Sequence, residues 1–464
     1  MEVTFFAIPV ILAGLFASDD KILTAFLICF LFGGTAALSL PGLGGAPILP
    51  AILLLPFLLW RAINDKTLKT RLRLFAYPNA GFWLTLLILY EVLSAYFLPR
   101  IFAGETLVYT ANRGAFSGVR LLPLIPVSTN LTQSIYTVFG LLSFFSTCIL
   151  LNSEKRIEYF IDGVLLLASL NILAALIQIG ESYLGFPSIL TLVRNADYAM
   201  FGNYEVGGLL RIQGTFPETS GFSGFTLPLF AFTFSLFRNN YKKVYSGTIS
   251  LLLLIFLLIS TSTTAYFGLG SYFIFIFLST IALTMMNRIK PKIGIITYTI
   301  WLCLVLMCIF FLFNQEFLTR IIDFFNLTVF NKLDSSSGKE RGAWNAQGLT
   351  NLIETYGFGV GFGSNRSSSL IVAFLSNTGI FGTVLFAIFM LKTATTLTKN
   401  QFLYLQTATA AKNALLIASI STIASAAFAE PGMMFYCFAA VVAVTGKTEA
   451  REIKTPTTDF HSKI

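Results

Sequence analysis

The sequence predicts an all-α polytopic transmembrane bundle of about 12 or 13 spans, capped on one side by helical connections. Three observations predict it. Of 464 residues, 55% are hydrophobic and 11% charged, whereas soluble domains usually carry about 25% charged residues. Apolar runs of the length that crosses a hydrocarbon core, about 20 residues, recur from Val3 to Val444. Lys and Arg fall in short clusters between those runs, as topology-setting charges do.

Hydropathy places the spans roughly at 3–18, 22–39, 48–61, 81–98, 131–151, 158–180, 222–238, 244–260, 262–286, 293–314, 367–391, 406–428 and 431–446. The turn Pro41-Gly-Leu-Gly-Gly-Ala-Pro47 separates the second and third as a loop or as a re-entrant break. Basic clusters mark the cytoplasmic side: Arg61, Lys66, Lys69, Arg71 and Arg73, then Lys155 and Arg156, Lys242 and Lys243, and Arg288, Lys290 and Lys292. With simple alternation Lys392, Lys399, Lys412, Lys447, Arg451 and Lys454 share that side. No cleavable leader is evident, because the first apolar run lacks a basic start and a second follows at once.

Three long connections, roughly 99–130, 181–221 and 315–366, then fall outside the cytoplasm. They are rich in Phe, Tyr, Leu and Ile, so they are expected to pack as a cap on the helix ends. From Trp344 through Leu349, Leu352, Ile353 and Tyr356 the apolar spacing is helical, predicting an amphipathic helix at the interface.

Composition narrows the chemistry. The excess of 31 basic over 22 acidic residues is dispersed as topology signals, so no nucleic-acid groove is expected. The one histidine, His461, sits in a polar tail, which removes Ser-His-Asp and Cys-His machinery. Cys29, Cys148, Cys303, Cys308 and Cys437 lie in apolar runs without metal-ligand or disulfide spacing. No metal or other cofactor is needed. Catalysis, if present, must use Arg, Glu, Asp, Tyr or backbone groups.

Two motifs in the outer connections offer such groups. The second connection ends Arg211-Ile-Gln-Gly214-Thr215-Phe216-Pro217-Glu218-Thr-Ser220-Gly, directly before a span. Glu218 there is either a helix N-cap beside the positive end of the dipole or a general base, with Arg211 holding an anionic partner. The third connection carries Lys339-Glu340-Arg341-Gly-Ala-Trp344 and then Gly357-Phe-Gly359-Val-Gly361-Phe-Gly363-Ser364-Asn-Arg366-Ser-Ser368. Its alternating glycines permit close backbone approach, but no Lys-Ser or Lys-Thr follows and no strand precedes, so it is not a nucleotide P-loop. Arg366, before a long apolar helix, can grip an anion or simply snorkel. Arg100, Arg113 and Arg120 make the first outer connection basic, against the positive-inside trend, which hints at an anionic ligand. Glu91 lies within an apolar span, where a carboxylate is costly and calls for a partner on another helix.

At these motifs the sequence resembles the O-antigen polymerase and ligase superfamily, specifically the Wzy-type polysaccharide polymerases. The resemblance rests on Arg211-x-x-Gly214-Thr215-Phe216-Pro217-Glu218-x-Ser220, on Arg341-x-x-Trp344, on Gly359-x-Gly361-x-Gly363-Ser364-x-Arg366-x-Ser368 and on Gly379-Ile380-Phe381-Gly382. It covers about the last half of the chain. It implies a multi-pass protein of the bacterial inner membrane, with an active site facing the periplasm, that polymerises undecaprenyl-diphosphate-linked oligosaccharides. Under it Glu218, Arg211 and Arg366 would be catalytic. Arg341, Trp344, Arg113, Arg120, Ser364 and Ser368 would bind diphosphate or saccharide, and a chain-length regulator and a flippase would be partners. The ligase branch carries a histidine about where Ser367 to Ser369 stand, so its absence favours a polymerase over a ligase. A flippase remains the alternative transporter reading, although only Glu91 is placed for a central cavity. A scaffold would leave the Arg and Glu motifs without purpose.

Overall fold

A computed structural model describes residues 2–40, 46–112, 118–196, 205–206, 209–286 and 336–447. The predicted span at 293–314 lies outside them, as do Cys303, Cys308 and His461.

The architecture is the expected helical bundle. Its helices are α1 (Ala7–Phe16), α2 (Ile22–Cys29), α3 (Pro50–Ile63), the short α4 (Leu68–Arg71), α5 (Ala80–Ile101), α6 (Ser128–Leu150), α7 (Glu154–Tyr183), the short α8 (Leu190–Val193) and α9 (Thr219–Arg238). They continue with α10 (Lys243–Ile259), α11 (Thr263–Met285), α12 (Ser336–Glu354), α13 (Leu370–Thr395), α14 (Phe402–Ser425) and α15 (Met433–Thr445). Six of these, α5, α6, α7, α9, α11 and α13, are long and apolar enough to cross a membrane, and α1, α3, α10 and α15 are shorter apolar helices.

Helix α9 is the inner pillar, packed against α10, α14 and α11, while α15 sits between α6 and α14. Its buried face is crowded with Phe222, Phe230 and Phe232, all within the main core. Leu and Phe also project from the outer faces of α5, α7, α10 and α13, which is the surface lipid requires rather than a defect of burial.

The connections sort the helix ends into two sets. At one end Arg61 pairs with Asp19 at 3.0 Å, Arg156 reaches both Asp20 and Asp65 at 3.1 Å, and Lys155 meets Asp20 at 2.7 Å. This basic end ties α1, α3 and the start of α7 together. The opposite end carries the long connections, and here one detail differs from a purely helical cap. Residues 107–123 contain a β-hairpin whose strands, Leu107–Asn112 and Gly118–Pro123, pair antiparallel. Val108, Tyr109 and Thr110 explain it, because β-branched and aromatic residues in alternation suit a half-buried ribbon. Two smaller strand sets, at 2–3, 38–40 and 46–48 and at 205–206 and 209–210, complete that end. Strands 38–40 and 46–48 pair antiparallel, and the residues between them, 41–45, on which the choice between loop and re-entrant break falls, lie outside the described residues. Helix α12 realises the predicted amphipathic helix and packs on α13 and the first hairpin strand.

Candidate functional site

The third-connection motif is built around a break in a helix. Within α13, Gly379 adopts φ 64° and ψ −163°, so the helix is interrupted one turn after Ser376. The exposed carbonyls of Ser376 and Asn377 accept hydrogen bonds from Val360 N–H at 2.8 Å and Gly361 N–H at 2.9 Å, and Ile380 N–H donates to Gly357 at 2.9 Å. A loop has thus taken the place of the missing helical turn. Gly357, Gly359, Gly361 and Gly363 all have positive φ. At Gly359 a side chain would strike the backbone of Asn377 and Gly379, so the alternating glycines allow loop and broken helix to touch.

The segment from Asn365 to Ser368 is clamped from several elements. Asn377 Oδ1 accepts from Asn365 N–H and its Nδ2 donates to Asn365 C=O, both at 2.9 Å. Tyr109 of the hairpin donates its N–H to Asn365 Oδ1 and accepts from Arg366 N–H, each at 2.8 Å. Ser367 N–H donates to Ala427 C=O at 3.0 Å, and Ser368 N–H to Asn345 Oδ1 at 2.8 Å. Arg366 therefore leaves a backbone fixed by the hairpin, α12 and the α14–α15 connection. Its guanidinium lies over the Trp344 ring, 4.8 Å from the centroid, a cation–π contact.

The second motif is fixed just as closely. From α7, Gln178 Oε1 accepts from Gln213 and Gly214 N–H at 2.8 and 2.9 Å. Arg194 donates to Gly214 C=O at 2.8 Å, and Gly34 N–H donates to Thr215 C=O at 3.0 Å. Glu218 occupies the cap position of α9, with extended φ −147° and ψ 161°, but its side chain caps no backbone N–H. Its Oε1 accepts from the Ser220 hydroxyl instead. The carboxylate is thus half-buried at a helix N-terminus, bonded to a first-turn hydroxyl and not to the helix's own amides.

The two motifs, remote in sequence, share one field. Partial burial pulls the Arg211 guanidinium below its ordinary value; Glu218 opposes that shift and Arg341 adds to it. The same holds at Arg366, where burial leads, Glu218 opposes, Arg341 adds and Glu340 opposes. Guanidinium nonetheless remains charged in proteins. Among the described residues, neither Glu218 nor these three arginines forms an ion pair within 4 Å. The Nε groups of Arg211 and Arg366 and the Trp344 indole N–H are buried without a hydrogen-bond partner. Three cations against two carboxylates, Glu218 and Glu340, together with the unmet donors, leave a positive site suited to an anion.

The other expected residues divide. Ser364 is buried, accepting from Asn130 Nδ2 at 2.8 Å and donating to Val360 C=O at 3.0 Å, so its hydroxyl braces the loop. Ser368 is buried beside Arg366. Arg120 lies exposed on the second hairpin strand, opposite Thr110. Arg113 lies outside the described residues. Sequence reasoning passed over the residues that position the site: Asn130, Asn345, Asn365, Asn377, Gln178 and Arg194. The signal available for them was amide side chains at helix ends and at a glycine-rich break.

The fold is that of a multi-span helical membrane protein, and a cluster of arginines and carboxylates stands at one end of its bundle. No known protein family matches the sequence, and no characterised protein matches it.

Proposed function

We propose that this chain is an inner-membrane glycosyltransferase that polymerises lipid-diphosphate-linked oligosaccharides on the periplasmic face. One observation carries the reading: Arg211 and Arg366, from separate segments, both lie within electrostatic reach of Glu218 and of Arg341, and among the described residues none of the four is ion-paired. The motif resemblance supports the same reading, including the lipid carrier undecaprenyl diphosphate. So does the position of the pocket, at the end opposite the basic clusters that mark a cytoplasmic face.

The chemistry follows from the roles. Glu218 takes the proton of an acceptor sugar hydroxyl. That oxygen bonds to the anomeric carbon of the donor chain as the bond from this carbon to the diphosphate breaks. The electron pair leaves on a diphosphate oxygen, where Arg211, Arg341 and Arg366 meet the developing charge. Trp344 holds the Arg366 plane, so the donors are oriented before the charge appears.

The test is a gel of surface polysaccharide and lipid-linked intermediates from cells lacking the protein. Single repeat units without long chains, rescued by wild type but not by Arg366→Ala, support the polymerase. Accumulated long lipid-linked chains would mean a ligase, and intermediates trapped on the cytoplasmic face a flippase.

A further inference from the structure

Beneath the arginine site lies a cavity of about 460 Å³ between α3, α6, α9, α14 and α15. Its wall on α9 begins at Gly224 and Phe225, just below Glu218, and the Phe225 ring packs on Phe216 of the Arg211–Glu218 motif at 4.8 Å. On the other side the wall is the α14–α15 connection, which carries Glu430 and is joined to the segment after Arg366 through Ala427 and Ser367. The cavity therefore lies next to both motifs, with packed side chains and backbone between it and the arginines.

Its lining is mainly apolar, with Phe139, Phe225 and Phe438 presenting aromatic surface, and carries one polar strip on the α14 side: Glu430 with Ser421 and Ser425, whose hydroxyls donate to helix carbonyls and keep their oxygens free to accept. A hydrocarbon chain would use only the apolar surface. Polyhydroxylated rings use both, laying C–H faces on aromatic rings and passing their hydroxyls to hydroxyl and carboxylate acceptors. Glu430 Oε1 accepts the Gly432 N–H at 2.9 Å, which fixes the carboxyl in the wall.

We propose that this cavity is a saccharide subsite of the candidate site, with Glu430 as the carboxyl that accepts a hydrogen bond from a sugar hydroxyl. The proposal rests on the glycosyltransferase reading for the identity of the sugar, as part of a lipid-linked oligosaccharide. Burial pushes Glu430 up to about 7, against the Gly432 N–H that stabilises its charge. Glu91 of α5 lies within electrostatic reach and accepts from the Thr137 hydroxyl at 2.5 Å, placing a second carboxyl behind the strip.

A Met434→Cys reporter at the cavity wall tests this in the purified full-length protein. The rate of its modification by a methanethiosulfonate, above the wild-type background, is measured with two probes. One is lipid-linked oligosaccharide extracted from the organism's membranes; the other is the same extract after mild acid has removed the sugar chain. Slowing by the first probe alone is expected. Equal slowing by both would assign the cavity to the hydrocarbon chain, and slowing by neither would remove the subsite; either overturns the proposal. Adding Glu430→Gln should raise the half-protecting concentration roughly tenfold, as loss of a hydrogen bond to a charged acceptor does, with the unprotected rate unchanged. No change there would remove Glu430 from the subsite. These labelling outcomes do not depend on the deletion gel, so failure of the subsite and failure of the polymerase reading are separable.

Discussion

Replacing Asn377 by Ala should loosen the pocket without touching any charged group in it. The amide of Asn377 makes three hydrogen bonds, to Asn365 N–H, Asn365 C=O and Ala373 C=O, all at 2.9 Å. Both Asn365 and Asn377 are fully buried, so water does not replace what is lost. Leaving a buried backbone donor or acceptor unmet costs about 1–3 kcal/mol each, and two such groups on Asn365 give roughly 2–6 kcal/mol. Ala373 C=O sits in a helix and adds little. The loss falls on the loop that delivers Arg366, so it should appear as local opening as well as a lowered melting temperature. Hydrogen exchange of the purified protein in detergent is the assay, with the 360–366 amides expected to lose protection while those of α9 keep theirs. Asn377→Asp, which retains the acceptor for Asn365 N–H but not the donor, should fall between. If the 360–366 amides of Asn377→Ala exchange as slowly as wild type, the loop is not held by this clasp and the account of the broken helix fails.

Gly379→Ala places a Cβ where φ is 64° and where Gly357 and Phe358 leave no space; strain of about 1–2 kcal/mol plus the overlap should lower both yield and melting temperature. Trp344→Leu removes the ring beneath Arg366 and should weaken pyrophosphate binding, followed by calorimetry, about fivefold, the equivalent of a cation–π contact of about 1 kcal/mol. At the basic end, hydrogen bonds from Lys155 and Arg156 hold Asp20 below its ordinary carboxylate value. At Asp65 burial pushes upward, but the Thr67 hydroxyl and amide and Arg156 outweigh it. Carboxylates lowered on folding stabilise the protein fully above their ordinary range, and that contribution disappears as pH falls through the folded values. Melting temperature should therefore drop in the acid range, and Asp65→Asn should flatten that drop while lowering the plateau at neutral pH.

The long helices were legible because lipid imposes a single rule on them, and hydropathy reads it directly; the run 22–39, read as a span, instead holds the eight-residue α2 and a strand at 38–40, because apolar content alone does not fix helix length. Glu91 in mid-span likewise announced a partner, and Thr137 on α6 supplies it. The two site motifs were visible as clusters of Arg, Glu and Gly, but their convergence was not, since nothing local states that residues 211–218 and 341–366 meet. The hairpin at 107–123 was hidden for a different reason. Its strands are short, and its hydrophobic residues are as compatible with a helical cap as with a ribbon. Least legible were the amides of Asn365 and Asn377, whose importance exists only once α13 breaks. A Gly within an apolar run gives no warning that its helix will stop there.

The ion-paired cations of the basic end and the arginines of the site are held in different ways, although Arg71 and Lys412 at the basic end are also held by carbonyls alone. At the basic end Arg61, Lys155, Arg156 and Lys242 each have a carboxylate within 4 Å, so their charge serves to join helices. At the other end the arginines are held by contacts that leave their charge uncompensated: a Trp ring under Arg366, backbone bonds around it, and amide bonds from Gln178 to the segment carrying Arg211. Holding guanidiniums partly buried beside one another costs desolvation and mutual repulsion. A purely structural role is met at lower free energy by apolar packing or by nearby acids, as at Arg61 and Arg156. The cost is offset once an anion with several oxygens bridges the three, because Glu218 and Glu340, the carboxylates within electrostatic reach, form no ion pair with them among the described residues.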